Sequence, residues 1–265
     1  MRFLGSAGRI WRARAGCAVR GRLRTGLSAA SLGPGGVEGR PAVRLLTGRG
    51  TGFNVLMAET DWVRWHEDYE TPGSSLARRL VVVQRFLDRV LDTGEPRSLL
   101  ALCAGDGRDV LPVLAARPAG RQMRAVLVEF DPSLSGRART AAAALGLPGV
   151  EVRTADAGRP ASFADAVPVD VLLACGVFGN VSDGDMRRTV AALPSFLTPG
   201  GVVIWTRGRG TGDGDLSEKV RASFAAGGFA ELAFEAPADA GFRVGMARLT
   251  EPAAAPAPDR LFTFR

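Results

Sequence analysis

Leu99-Leu100-Ala101-Leu102-Cys103-Ala104-Gly105-Asp106-Gly107-Arg108-Asp109 is the stretch that decides the fold. Leu99 to Cys103 is an apolar run of strand length, and a glycine-containing turn follows it at once. Val110, Leu111, Val113 and Leu114 then fall at helical spacing, with Pro112 in the first turn of that helix. A glycine turn between a strand and a helix lets a ligand approach the backbone closely. The helix beyond it begins with unpaired N–H groups. The dinucleotide fingerprint G-x-G-x-x-G needs a third glycine where Val110 stands, so an NAD-type turn is not expected.

The same alternation continues downstream. Ala125 to Val128 is a second apolar run ending in Glu129, and Asp131-Pro132 opens a helix that Leu145-Gly146 closes. Val150 to Val152 starts a third strand that ends near Asp156, and Val169 to Ala174 is a fourth. Ser182, with Asp185 three residues on, has the form of a capping box before Met186, Val190 and Leu193. Thr198-Pro199-Gly200-Gly201 reads as a turn into a fifth strand, Val202 to Trp205. A helix over Leu216 to Ala226 ends at Gly227-Gly228. Phe229 to Phe234, Phe242 to Leu249 and Leu261 to Phe264 are strand candidates, two of which make a final hairpin.

Upstream, Trp62, Trp65, His66 and Tyr69 fall on one face of a helix that Thr71-Pro72-Gly73 breaks. Ser74 or Ser75 caps the next helix, where Leu76, Leu80, Val83, Leu87 and Val90 form an apolar stripe. Strands alternating with helices make an α/β protein with a mainly parallel sheet covered on both faces. Ligands of such sheets bind beyond the carboxyl ends of the strands.

Two acids stand at those ends. Glu129 lies 22 residues after Gly107, where a carboxylate can accept both hydroxyls of a ribose diol. Asp156, in Thr154-Ala155-Asp156-Ala157, can accept a hydrogen bond from an adenine amino group. The glycine-rich stretch Gly208 to Gly212 also follows a strand, but Asp213-Gly214-Asp215 comes next in place of an apolar helix turn, so it reads as a loop.

Together, LLALCAGDGRD, AVLVEFDPS, TADA, VDVLLACGVFGNVSD and LTPGGVVIW resemble the class I S-adenosylmethionine (SAM)-dependent methyltransferases, over residues from about 58 to the end. The glycine loop and the WVRWHEDYE segment look like a bacterial branch of that family. The resemblance implies a Rossmann-like doubly wound sheet of about seven strands, mainly parallel, with an antiparallel C-terminal strand and helices on both faces. It implies S-adenosyl-L-methionine as cofactor. Cys103, Ala104, Gly105, Asp106 and Gly107 would wrap the methionine part, Glu129 would hold the ribose and Phe130 would flank the adenine. Asp156 and Ala157 would meet the adenine edge, and Ala174, Cys175 and Gly176 would line the methionine side. The family commonly has an acid at the position of Ala101 and a glycine at that of Cys103, and neither is present. The amino-group contact made by that acid would fall to Asp106 or Asp109.

His66 and Tyr69 are the candidates for a general base, with Asp183 and Asp185 behind them. Cys103 and Cys175 end strands that should be neighbours, so their side chains are expected close together. The three cysteines have neither metal-ligand spacing nor a disulfide framework, and the chain has one histidine; no metal site is expected. A reducing, cytoplasmic setting is expected. No apolar run is long enough to cross a bilayer.

The net charge of +7 sits in the amino-terminal segment: residues 1–56 hold ten arginines and a single acid, Glu38, and the remainder carries −2. That tail is expected to be disordered, ahead of a methyltransferase domain over 57–265. It has the composition of a transit peptide or a nucleic-acid arm, or it precedes a true start at Met57. A small-molecule acceptor is expected, and a nucleic-acid partner is not, because the body has no basic excess. Cys175-Gly176-Val177-Phe178-Gly179-Asn180 matches neither the Asn/Asp-Pro-Pro nor the Pro-Cys motif of base methylation. The alternatives are a non-catalytic SAM- or nucleotide-binding regulator and an RNA methyltransferase that uses the basic tail.

Overall fold

The structure is a computed structural model that describes His66 and residues 68–93, 97–210, 214–251 and 256–265, all within the unit Glu59–Arg265. The arginine-rich segment 1–56, Trp62 and Trp65 lie outside the described residues.

Helix α1 (Ser75–Thr93) leads into β1 (Ser98–Leu102), followed by the short helices α2 (Leu111–Ala115) and α3 (Pro118–Arg121). Then come β2 (Arg124–Glu129), α4 (Pro132–Ala144), β3 (Val150–Thr154), β4 (Val169–Ala174) and α5 (Asp183–Ala192). The chain continues through β5 (Leu197–Gly208), α6 (Ser217–Ala226), β6 (Phe229–Glu235) and β7 (Phe242–Leu249). The strands form one seven-stranded sheet in the order β3-β2-β1-β4-β5-β7-β6. The pairs among β1 to β5 are parallel, and β7 runs antiparallel to both β5 and β6.

The caps follow from side-chain chemistry. Ser74 Oγ accepts from Ala77 N at 3.0 Å, Asp131 Oδ1 from Ser133 N and Leu134 N at 2.7 and 3.0 Å, and Ser182 Oγ from Asp185 N at 2.9 Å. Strand alternation splits the core in two. Leu100, Leu102, Val128, Leu172 and Trp205 pack with α5 and α6 on one face. Leu99, Ala101, Leu127, Leu173 and Ile204 pack with α1, α2 and α4 on the other.

Two expectations need correction, and two points that the sequence left open are filled in. Thr198-Pro199-Gly200-Gly201 lies inside β5 as a bulge: Val169 pairs with Leu197 and Val171 with Val202, so these residues stand opposite Asp170 alone. Asp170 makes this possible, because its carboxylate accepts from Arg97 N, Ser98 N and Thr198 Oγ1 and so fastens the starts of three strands. The terminal hairpin uses Phe229–Glu235 and Phe242–Leu249, whereas Leu261 and Phe262 are buried as irregular chain. Helix α3 was not expected, since its four residues are too few to show a period. Asp68–Glu70 is a 3-10 turn, not part of a continuing α-helix. Among the described residues, no helix is long and apolar enough to cross a membrane.

Gly245 pairs with Trp205 across β5 and β7, and a Cβ there would overlap the indole ring. Trp205 is buried and stacked on Phe224 at 5.7 Å, so it has little room to step aside. Gly245→Ala is expected to lower stability by about 1–3 kcal/mol. Urea unfolding would show this as a lower midpoint at unchanged slope, and a wild-type midpoint would show that the indole repacks freely.

Candidate functional site

The sheet order reverses between β1 and β4, which places the segments after these strands beside each other at one end of the sheet. After β1 the chain turns through left-handed conformations at Cys103 (φ 53°), Gly105 (φ 57°) and Gly107 (φ 80°). A non-glycine residue in that region is uncommon, so Cys103 marks where the turn is held against preference. Ala104 N donates to Val128 O at 3.0 Å, and Val110 N and Leu111 N donate to Gly107 O. Against the loop sits His66: a Cβ at Gly105 would overlap its Nε2.

Glu129, at the end of β2, is buried, with 8% of its surface exposed. Its Oε2 accepts from Gly105 N at 2.7 Å and its Oε1 from Asp131 N at 2.9 Å. A carboxylate has about four acceptor sites, so two remain for a ligand. The next residue, Phe130, is 75% exposed, an apolar ring presented at the strand end.

The carboxylate of Asp156 is engaged within the protein. Its Oδ1 accepts from Gly158 N at 2.8 Å and its Oδ2 from Arg260 Nη2 at 3.1 Å. Ala157 is buried in the core. Ala174 and Cys175 are buried, and Gly176 (φ 76°) donates its N–H to Thr206 Oγ1 at 2.9 Å. Nothing lies within 4 Å of where a Cβ would stand on Gly176.

The other loop acids differ sharply. Asp106 accepts from Arg108 Nε at 2.8 and 3.0 Å and pairs with its Nη2. Burial pushes the Asp106 carboxyl up, but the hydrogen bonds and charge of Arg108 outweigh it and hold the group below the usual carboxylate range. Asp109 is half-buried, and burial raises it despite the opposing charge of Arg79. Its Oδ1 is sealed from solvent without a hydrogen-bond partner.

Tyr69 packs 5.6 Å from His66, centroid to centroid, and Arg108 lies over its ring at 4.5 Å. Arg79 Nη2 donates to the Tyr69 oxygen. Burial pushes the phenol well up, beyond the partly offsetting charge of Arg79, so it stays protonated near neutrality. Cys103 and Cys175 are free thiols at the ends of neighbouring strands, but they face different surroundings. Cys103 packs with the α5 and α6 face, while Cys175 belongs to the α1 face. Of the two, only Cys103 has left-handed backbone. Burial raises both thiols and so disfavours a thiolate at either. Among the described residues, no group of three metal-ligating side chains is found.

Arg79, Arg108, Thr206 and Arg260 were missed as site residues. Arg79 alone had a legible signal: an arginine four residues before Val83, on the apolar stripe of α1.

The Asp106–Arg108 pair makes a pH prediction. The folded carboxyl lies below the unfolded value of about 3.9, so its stabilisation is fully present above that value and is lost as pH falls through the lower folded one. Asp106→Asn is expected to lose about 1 kcal/mol at pH 7. The deficit should shrink in urea titrations near pH 3, and a constant deficit would show that the pair does not titrate with folding.

Residues 99–201 match the model of a family described as a methyltransferase domain. No curated protein matches the sequence. Among solved structures, magnesium protoporphyrin IX methyltransferase from Synechocystis PCC 6803, with bound S-adenosylhomocysteine (SAH), superposes with a TM-score of 0.54 at 15% identity, over 72% of this chain and 94% of that one. A protein from Bordetella parapertussis, described as a possible exported protein, gives 0.52 at 18% identity, over 66% and 68%. An O-methyltransferase family protein from Burkholderia thailandensis gives 0.50 at 15%, over 66% of this chain and only 58% of its own length. At such identities the likeness is one of fold. Residues 99–201 thus match a methyltransferase domain, and the sheet around them has the strand order β3-β2-β1-β4-β5-β7-β6 of a Rossmann-like, mainly parallel fold.

Proposed function

We propose that this protein transfers the methyl group of SAM to a small-molecule acceptor at the switch point between β1 and β4. The observation that carries this reading is Glu129, a buried strand-end carboxylate tied to the glycine loop through Gly105 N and left with acceptor sites for a ribose diol. Phe130 offers a ring to the adenine, and Gly176 leaves open space on the other side of the crevice. When bound, SAM supplies a methyl group on a sulfonium, already activated for in-line displacement.

The chain's own work is then to position the reactants and exclude water. Glu129 fixes the ribose, and the loop backbone from Cys103 to Gly107 follows the methionine part. Asp156, held by Gly158 and Arg260, shapes the turn that meets the adenine edge beside Ala157. His66 accepts the acceptor's proton where one must leave, since imidazole is the side chain suited to that near neutrality. Tyr69, kept protonated, orients rather than deprotonates. A small acceptor is supported by the charge of −2 on residues 57–265, which offers no electrostatic attraction for a polyanion.

Calorimetric titration of SAM and SAH into the full chain tests the donor site. Both are expected to bind, and Glu129→Ala should weaken them about 10–150-fold, through loss of charge-assisted hydrogen bonds of roughly 1.5–3 kcal/mol. No binding to the folded parent would overturn the reading. With an acceptor that must lose a proton, His66→Ala should lower kcat about 10²–10⁴-fold; unchanged turnover would remove the base assignment.

A further inference from the structure

We propose that the cleft between α4 and β3, at the edge of the sheet, binds a small amphipathic carboxylate, with an acyl chain on the apolar floor and the carboxylate on Arg139. The cleft has a volume of about 390 Å³, within the range of small-molecule pockets. Its lining comes from the second half of α4, the turn after that helix and the start of β3. It is therefore separate from the crevice at the strand ends, and the inference does not depend on the donor site.

The sequence accounts for the space. β3 is the outer strand of the sheet and pairs with β2 alone. Its Val150 and Val152 line the cleft, and α4 brings Ala142 and Ala143 to the same space. Side chains this short leave a gap that leucines would fill. Leu147 and Pro148 extend the apolar lining beyond the left-handed turn at Gly146 (φ 65°). Close packing is the rule in folded proteins, so an apolar cleft of this size invites a ligand.

Arg139 gives the cleft its polarity. Its Nε donates to Val152 O at 3.2 Å and its Nη2 to Thr154 Oγ1 at 2.6 Å. These neutral partners fix the guanidinium against β3. A guanidinium has five N–H donors, so those on Nη1 remain for a carboxylate. Arg121 stands at the rim. Its Nη1 donates to Leu145 O at 2.9 Å and lies 3.6 Å from where a Cβ would stand on Gly146. Among the described residues, neither arginine has a carboxylate partner, whereas Arg117 is held by Asp88 and Asp92, and Arg153 by Glu151 and Asp165. Two positioned cations beside an apolar floor suit one negative charge on an apolar body.

The test titrates octanoate and its neutral twin, octanol, into the full chain by calorimetry. The parent should bind octanoate about 5-fold or more tightly than octanol. Arg139→Gln should bring the two within about twofold of each other and leave octanol binding unchanged. Ala143→Trp should fill the cleft and abolish binding of both, with the urea midpoint showing that the chain is folded. If that variant fails to fold, Ala143→Leu replaces it. A parent that binds octanoate no better than octanol, or not at all, would overturn the proposal. So would an Arg139→Gln variant that keeps the preference, or a folded Ala143→Trp variant that still binds octanoate. Sedimentation supplies the last arm: a dimer that Ala143→Trp disperses and octanoate does not would make this face an interface between copies, and the proposal would fail.

Discussion

The hydrogen bond from Gly105 N to Glu129 Oε2, 2.7 Å long, is the constraint on which the rest of the site depends. Parallel pairing of β1 with β2 sets Leu102 beside Val128, so the residues leaving both strands emerge together. Ala104 N uses the Val128 carbonyl as one more rung beyond the strand. The loop must then turn sharply to reach α2, which it does through left-handed backbone at Cys103, Gly105 and Gly107. Glu129 holds the middle of that turn. A buried carboxylate is tolerable there because two N–H groups aim at it. The strand end and the loop are one object, and moving either displaces the other.

Around that object the polar groups fall into two classes. Asp170, Asp131 and Ser182 hold strand starts and helix ends, and their hydrogen bonds are complete. The group formed by Tyr69, Arg79 and Asp109 differs. It is partly buried, with Arg79 in the core, it mixes a guanidinium with a carboxyl and a phenol, and it retains an unsatisfied oxygen. A core built only for stability would replace such groups with apolar side chains of similar size. Incomplete satisfaction beside a strained loop is the pattern expected where binding, not folding, sets the residue choice.

Much of this was legible in the sequence because it is local. The apolar runs gave the strands β1 to β5, and Asp131-Pro132 and Ser182 gave helix starts through their side-chain chemistry. Glu129 was legible as a strand-end acid at a telling distance from the loop. What was illegible is non-local. Arg260 reaches Asp156 across 104 positions, so no spacing announces that this acid is already occupied. Thr198 to Gly201 has the composition of a turn, and only the pairing of Leu197 with Val169 shows it to be a bulge within β5. Asp106 and Asp109 are three residues apart in one loop and equivalent as letters; Arg108 takes one and leaves the other. Trp62 and Trp65, expected on the face of His66, lie outside the described residues.

The strand order explains why the chemistry gathers where it does. The connection after β1 leaves toward the face of α1, α2 and α4, while that after β4 leads to α5 on the opposite face. The two segments part at neighbouring strand ends, where ligands of such sheets bind. They are unlike. The one after β1 is a tight loop with backbone amides and acids. The one after β4 turns at Gly176, fastened by Thr206, with nothing within 4 Å of where a Cβ would stand. For the proposed displacement between two bound molecules, such an asymmetry suits a donor fixed on one side and an acceptor approaching in line from the other.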